Sequence, residues 1–203
     1  MLTKIKRQDC LAQYRSFPLR SYDEDEEKFF YPKVYKNYIL VLASKSFTGH
    51  VKALGIEMTK LTKAFNANTL IFLGDTEAPW LYQHNDYKPV REAEEYLTAN
   101  KIGKRFCGAL QVNTAELPTF VKHLAWLTRC NATLSNFNFT DEGQTIVGSI
   151  CKYGNLHLET LNEQADKALK SFVGNSKFQY GDSNSCYNEF GKTSAISGRQ
   201  TVV

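Results

Sequence analysis

From residue 38 onward, the chain alternates between short apolar runs and longer segments in which apolar residues recur every three or four positions. The apolar run at 38–43 has the length and composition of a strand buried on both faces. The segment after it predicts an amphipathic helix, because its apolar residues form one stripe at alternating spacings of three and four. These residues are Val51, Leu54, Met58, Leu61 and Phe65.

Three further elements complete a first unit. The apolar run at 69–73 predicts a second strand, and turn-forming residues at 74–77 lead to a predicted third strand at 80–83, which folds back as a hairpin. A helix is predicted from Lys88 to about residue 98. The proline after Lys88 is tolerated in a first turn, and acidic residues favour the N-terminal half of a helix.

The same order of elements then recurs. The pattern predicts a strand, a helix and a β-hairpin, and then a helix from Thr160, where Glu163 completes a capping box, to Gly174. A short strand at 177–180 is expected to close this second unit. The earlier strand, helix and hairpin strands are predicted at 105–112, 115–129, 133–140 and 145–153.

The chain from 38 to 173 therefore reads βαββα twice, which together with a following strand is the split-βαβ, or ferredoxin-like, pattern. We expect an α+β fold with a tandem βαββα repeat, a mainly antiparallel sheet and helices packed on one face. The alternative is a single mixed sheet of about six strands with four helices. The predicted division is an N-terminal arm at 1–37, a first unit at 38–104, a second unit at 105–181 and a flexible C-terminal tail at 182–203.

Composition and charge argue against two classes of partner. Of the 203 residues, 42% are hydrophobic and 23% charged, and no apolar run approaches the roughly 18 residues of a membrane helix. The charged residues after Met1 have no apolar segment behind them, so we expect neither a signal peptide nor a membrane anchor, and a cytoplasmic location. The net charge of +4 comes from interspersed signs, which predicts no nucleic-acid partner.

The N-terminal arm shows no sustained period and is expected to be extended, with a helical turn near 9–14. Five consecutive acidic residues at 23–27 lie between basic stretches. Such a run of like charges is typical of a solvated loop.

Neither the cysteines nor the histidines predict a metal site or a cofactor. The five cysteines lie far apart without C-x-x-C spacing, so reduced thiols are expected, and Cys107 and Cys151 fall within apolar strands as small core residues. Two histidine pairs are each 73 residues apart, but the two halves align better at an offset of 70, which does not favour a shared metal site. The other cysteines are Cys10, Cys130 and Cys186, and the histidine pairs are His50 with His123 and His84 with His157.

No catalytic residue is predicted, because the chain contains no G-x-S-x-G, H-E-x-x-H or G-x-G-x-x-G sequence. Gly191, Lys192 and Thr193 resemble the end of a phosphate-binding loop, but that motif requires glycine at the position of Cys186. A role without catalysis is therefore favoured over an enzymatic one.

Two loops that follow the third strand of each unit combine aromatic rings with polar side chains, a composition typical of protein-binding surfaces. We therefore expect a cytoplasmic protein-binding module, such as a toxin-neutralising immunity protein or another specific inhibitor. A small enzyme or ligand-binding protein with a pocket between the repeats is one alternative, and a structural homodimer is another. The predicted surface consists of Trp80, Tyr82, His84, Asp86 and Tyr87 in the first loop and Tyr153, Asn155 and His157 in the second.

Overall fold

The structure, a computed structural model, describes residues 2–25, 27–181, 186–187, 190 and 196–200. These residues form ten strands and five helices. The strands are β1 (Thr3–Ile5), β2 (Tyr22–Asp23), β3 (Lys28–Phe29), β4 (Lys36–Leu42), β5 (Thr69–Gly74), β6 (Ala109–Asn113), β7 (Phe137–Asp141), β8 (Ile146–Ile150), β9 (Leu156–Thr160) and β10 (Phe178–Tyr180). The helices are α1 (Arg7–Gln13), α2 (Phe47–Ala64), α3 (Lys88–Ala99), α4 (Leu117–Cys130) and α5 (Glu163–Gly174).

Eight of the strands form one sheet in the order β1-β6-β5-β7-β8-β9-β4-β10, and β2 and β3 form a separate hairpin. All pairs of neighbouring strands are antiparallel. The predicted α+β class and mainly antiparallel sheet are thus confirmed. The tandem ferredoxin-like repeat is not, because strands of the two predicted units interleave: β4 lies between β9 and β10, and β5 lies between β6 and β7.

Two element predictions in the repeat are wrong. Residues 80–83 form a turn instead of a strand, because the indole ring of Trp80 enters the core, stacks on Phe137 and donates a hydrogen bond to the Gly108 carbonyl. The segment at 156–160 is a strand, β9, that the sequence analysis missed. Helix α5 consequently begins later than predicted, and Asn162 caps it by accepting a hydrogen bond from the Ala165 amide.

The N-terminal arm contains more regular structure than predicted. The expected helical turn is present as α1, but β1 already pairs with β6 from Thr3 onward. The predicted strand at 177–180 is present as β10, although it pairs with β4 and therefore joins the first unit to the second. Of the predicted tail, only residues 186–187, 190 and 196–200 are described, and residues 191–193 lie outside the described part.

The two faces of the sheet are covered by different helices. In β5, Leu70 and Phe72 point into the main core together with the apolar stripes of α2–α5. The alternate residues Ile71 and Leu73 point to the opposite face, where Cys10 of α1 packs against them. Helices α2–α5, which belong to the predicted repeat, therefore pack on one face, and α1, which was predicted as a helical turn of the N-terminal arm, packs on the other.

The outer face of the sheet, opposite α2–α5, is covered near β5 and β6 by α1, and Thr140 of β7 and Val147 of β8 are also buried on it. Farther along this face, Asn138 lies opposite Ser149, and Ser149 lies opposite His157. These three side chains are only partly buried, whereas Phe137 and Phe139, the chain neighbours of Asn138, are buried in the core. Strand alternation thus places a polar row across β7, β8 and β9 on the half of the face that α1 does not cover.

None of the helices in the described ranges has both the length and the apolar composition that a bilayer span requires. The longest helix, α2, has 18 residues. It carries Lys52, Glu57, Lys60 and Lys63 along its length.

Gly148 tests the packing of the central strands. A Cβ atom at this position would lie 2.5 Å from Cζ of Phe139 and 2.8 Å from Cδ1 of Leu158, so both buried side chains would have to move. We expect Gly148→Ala to reduce the free energy of unfolding by about 1–3 kcal/mol in urea titrations. Gly103→Ala is the control, because a Cβ there meets no atom within 4 Å; equal destabilisation by both variants would contradict the packing described here.

His123 gives the fold a dependence on pH. Its ring is 8% exposed, stacks on Tyr96 and has an Nδ1 atom without a hydrogen-bond partner, and burial, with the nearby Lys122 charge, lowers its pKa from 6.5 to about 4. Between these values the unfolded chain binds more protons than the folded one, so stability falls as the pH is lowered from about 6.5 to about 4. We expect His123→Phe to reduce this slope by up to about 1.4 kcal/mol per pH unit.

Urea titrations at several pH values measure that slope. His84→Gln is the control, because His84 is exposed and the carboxylates of Glu94 and Asp86 raise its pKa instead of lowering it. An unchanged slope in His123→Phe would show that other groups cause the loss of stability in acid.

Candidate functional site

The exposed half of the outer face forms one wall of a groove of about 430 Å³. The segment after α1 forms a second wall, where the Arg20 guanidinium makes an ion pair of 2.6 Å with Asp75. We call this the outer-face groove. Side chains that line it include Arg20, Tyr31, Asn138, Ser149, Cys151 and His157.

Two cysteines and a histidine meet beside one end of the groove, and Cys151 and His157 also line it. The Sγ atom of Cys186 lies 3.3 Å from Sγ of Cys151 and 3.1 Å from Nε2 of His157. All three atoms lie within 4.8 Å of one another, and no other group of three or more His, Cys, Asp or Glu side chains in the described ranges is arranged for metal binding in this way. We call Cys151, His157 and Cys186 the thiol–imidazole cluster.

The β8–β9 hairpin positions two members of the cluster. His157 lies opposite Ser149, so Cys151, two residues beyond Ser149, projects from the same face beside the imidazole. The turn between the strands is closed by the Gly154 amide, which donates to the Cys151 carbonyl. Gly154 has a φ of +81°, and a Cβ there would lie 2.7 Å from the His50 ring, so this turn requires glycine.

The third member comes from the C-terminal segment. Asn155, which is 1% exposed, donates a hydrogen bond of 3.4 Å from Nδ2 to Sγ of Cys186 and another to the carbonyl of Tyr187. The buried amide side chain therefore holds the Cys186 segment against the hairpin.

Burial sets the protonation of the hairpin residues. It lowers the pKa of His157, which favours the neutral imidazole. Burial, followed by the neighbouring Cys186, raises the pKa of Cys151. A cysteine nucleophile is activated by a cationic partner that lowers its pKa, and Cys151 has the opposite environment.

A second cavity, of about 290 Å³, adjoins the other side of the cluster. Lys152 and Arg199 line it, and its lining within the described part of the chain contains no carboxylate. Arg199 donates a hydrogen bond to the Arg129 carbonyl at the end of α4. The cavity therefore has a positive charge beside two thiols and an imidazole.

The first predicted binding loop is only partly at the surface. Trp80 is 1% exposed and belongs to the core, and Tyr87 packs edge-on against Trp126. Tyr82 is exposed, and His84 contacts the carboxylates of Asp86 and Glu94. The indole of Trp80 cannot contact a partner in this fold, because it is buried. The sequence pattern did not indicate this burial, because the ring packs on Phe137, which is distant in the sequence.

The second predicted loop contributes to the cluster instead of to a separate surface. His157 lies in β9 and Asn155 is buried beside Cys186, while Tyr153 is half-buried beneath the Lys152 ammonium. Sequence reasoning missed the two cysteines of the cluster. Cys151 is not a core residue, and neither is Cys107, because both side chains are partly exposed.

A group of exposed hydrophobic side chains lies in a segment to which the sequence analysis assigned no function. Residues 22–35, which we call the aromatic arm, include the β2–β3 hairpin, and Glu24, Asp25 and Glu27 are exposed in it. The high density of aromatic residues at 29–35 could have indicated this surface, but these residues follow no helical or strand period. The exposed large hydrophobic side chains of the aromatic arm, 37–67% accessible, are Tyr22, Phe29, Phe30, Tyr31, Val34 and Tyr35.

Asn155→Ala should loosen the attachment of the Cys186 segment. Loss of a hydrogen bond worth about 1 kcal/mol increases local opening by about fivefold, so we expect Cys186 to be alkylated by iodoacetamide about fivefold faster in metal-free, reduced protein. Peptide mass spectrometry over time measures the rate. Asn175→Ala, at the exposed end of α5, is the control; equal Cys186 rates in wild type and Asn155→Ala would contradict this role of Asn155.

Comparison with known proteins adds no assignment to this geometry. No protein-family model matches the chain, and no curated protein or solved structure matches it either. The arrangement of the side chains is therefore the basis for assigning a function to this protein.

Proposed function

We propose that the protein is a cytoplasmic protein-binding module and that the aromatic arm is its contact surface. One observation carries the proposal: six large hydrophobic side chains are exposed together within residues 22–35. Clusters of exposed aromatic residues are typical of binding sites, because each ring buries a large area at a small cost in conformational entropy.

The arm is held in place at several points, which reduces the entropy cost of binding. The Leu19 amide donates to the Phe30 carbonyl, and the Tyr35 amide donates to the Thr160 carbonyl at the end of β9. The rings of Tyr22 and Phe29 pack edge to face at 5.6 Å between their centroids. The arm therefore presents its aromatic side chains from a defined backbone.

The chemistry of the arm favours a basic partner protein with an apolar anchor. The exposed carboxylates of Glu24 and Glu27 lie between strands β2 and β3 of the arm, so a basic surface would complement them. Beside the arm, a cavity of about 590 Å³ is lined mainly by apolar residues and is large enough for side chains of a partner. Its lining includes Leu11, Tyr14, Phe17, Leu19, Tyr22 and Phe30.

The protein-binding hypothesis of the sequence analysis is retained, but the proposed contact surface is the aromatic arm instead of the two predicted loops. An immunity protein or another inhibitor would use such an arm to occupy a basic cleft of its target. The loop that contains the exposed Tyr82 is the alternative contact surface. A second copy of the chain is the alternative binding partner of the arm.

Two matched tyrosine variants test the surface. Tyr31 in the arm and Tyr82 in the loop are 67% and 53% exposed, so neither substitution removes core packing. We expect Tyr31→Ala to weaken binding of the partner by at least about fivefold, or about 1 kcal/mol, and Tyr82→Ala to leave it unchanged. The partner is identified by affinity capture from the native lysate, and its dissociation constant is then measured with purified proteins by calorimetry.

Each outcome of that experiment bears on the proposal. Weakened binding in Tyr31→Ala that also weakens with added salt supports an arm that binds a basic protein. Loss of binding in Tyr82→Ala alone would contradict the arm and favour the loop. A wild-type mass that doubles with concentration in sedimentation, and stays monomeric in Tyr31→Ala, would replace the partner with a second copy of the chain.

A further inference from the structure

We propose that Cys151, His157 and Cys186 bind one Zn²⁺ ion, with a fourth coordination position open to the adjoining cavities. This site is independent of the aromatic arm and of protein binding. It rests on the positions of three ligand atoms that the chain brings together from two distant segments.

The donor set selects the class of metal. Two cysteine sulfurs and one imidazole nitrogen are soft and borderline ligands, which suit Zn²⁺ and do not suit the hard ions Mg²⁺ and Ca²⁺. No carboxylate belongs to the group. Two thiolates would neutralise the charge of a divalent ion in a partly buried site, which lowers the cost of removing it from water.

The distances are close to those of a tetrahedral site. With Zn–S bonds of about 2.3 Å and a Zn–N bond of about 2.0 Å, ligand atoms lie about 3.6–3.8 Å apart. The Sγ atoms of Cys151 and Cys186 are 3.3 Å apart, and Nε2 of His157 is 3.1 Å from Sγ of Cys186; all three ligand atoms lie within 4.8 Å of one another. The two shorter separations need to open by only about half an ångström to accept the ion, a movement within reach of side-chain rotation.

The fold also supplies the features that surround metal ligands. Cys151 and His157 are placed by the register of β8 and β9, so two of the three ligands are fixed before the metal binds. Asn155 donates a hydrogen bond to Sγ of Cys186, which is the kind of outer contact that orients a thiolate ligand. Binding would then secure the Cys186 segment to the hairpin.

Three protein ligands leave one position of a tetrahedral ion for an exogenous ligand. Cys151 and His157 line both the 430 Å³ groove and the 290 Å³ cavity, so a molecule in either cavity lies beside the metal. Lys152 and Arg199 line the smaller cavity. The fourth ligand is therefore water or an anionic oxygen donor such as a carboxylate.

Metal titration of the full chain tests the site. The protein is reduced with a phosphine, freed of metal with a chelator and titrated with Co²⁺ as a spectroscopic probe and then with Zn²⁺. We expect one equivalent of Co²⁺ to produce thiolate-to-cobalt charge-transfer absorption and the visible bands of tetrahedral cobalt, and one equivalent of Zn²⁺ to abolish both. The melting temperature should rise by several degrees in excess Zn²⁺, because the ion binds the folded state.

Variants assign the ligands. Losing an outer contact of a metal ligand typically weakens binding by about 10–100-fold, so we expect Cys186→Ser and His157→Gln, which remove ligands, to weaken Zn²⁺ binding by at least about 100-fold. Cys107→Ser is the matched control, because Cys107 is a partly exposed cysteine outside the group, and it should bind Zn²⁺ as wild type does. Cys186 lies outside the helices and strands, so circular dichroism of metal-free Cys186→Ser should match wild type.

Any of four results would overturn the site. One is less than a tenth of an equivalent of tightly bound Zn²⁺ in reduced wild type; another is a cobalt spectrum without thiolate bands. The third is equal Zn²⁺ affinity in wild type, Cys186→Ser and His157→Gln. A Cys151–Cys186 disulfide that persists under the phosphine, detected by mass spectrometry, would also contradict it.

Discussion

The alternation of side chains along an antiparallel sheet is the constraint on which this structure depends. With α2–α5 packed on one face, every second residue of the eight strands points to a face that those helices cannot reach. Helix α1 covers this outer face only near β5 and β6, where Ile71 and Leu73 are apolar. Farther along this face, the outward residues Asn138, Ser149 and His157 are polar and partly exposed, and they line the candidate site.

In the hairpin of β8 and β9, one strand register determines both which residues enter the core and which side chains meet on the outer face. Its inward residues Ile146, Leu156 and Leu158 are buried in the main core. Its outward residues bring Ser149 beside His157, and Cys151 follows on the same face. Because core packing fixes the register, a slip by one residue would bury the imidazole and expose the leucines. The stability of the core therefore also preserves the geometry of the thiol–imidazole cluster.

The aromatic arm and the cluster both contribute to one groove, because Tyr31 and His157 line it. The arm offers aromatic area and negative charge, whereas the cluster lies beside the cations Lys152 and Arg199. These are different kinds of recognition, apolar and acidic on one side and metal-ligating on the other.

The sequence by itself determined the elements whose hydrophobic period is strong and local. The stripe of Val51, Leu54 and Met58 predicted α2, and the apolar run at 69–73 predicted β5, because burial of a regular face leaves its period in the sequence. It also determined the α+β class. The predicted strand at 80–83 failed because the burial of Trp80 depends on the contact with Phe137, more than 50 residues away.

Only the tertiary structure decided the sheet order and the candidate site. Nothing local indicates that β4 joins β9 to β10, or that Cys186 returns to Cys151 and His157. These contacts join segments that are distant in the chain, and their free energy depends on three-dimensional packing that a residue's neighbours do not record. A metal motif with short spacing can be read from a sequence, whereas a cluster assembled by strand register and a returning segment becomes visible only once the chain has folded.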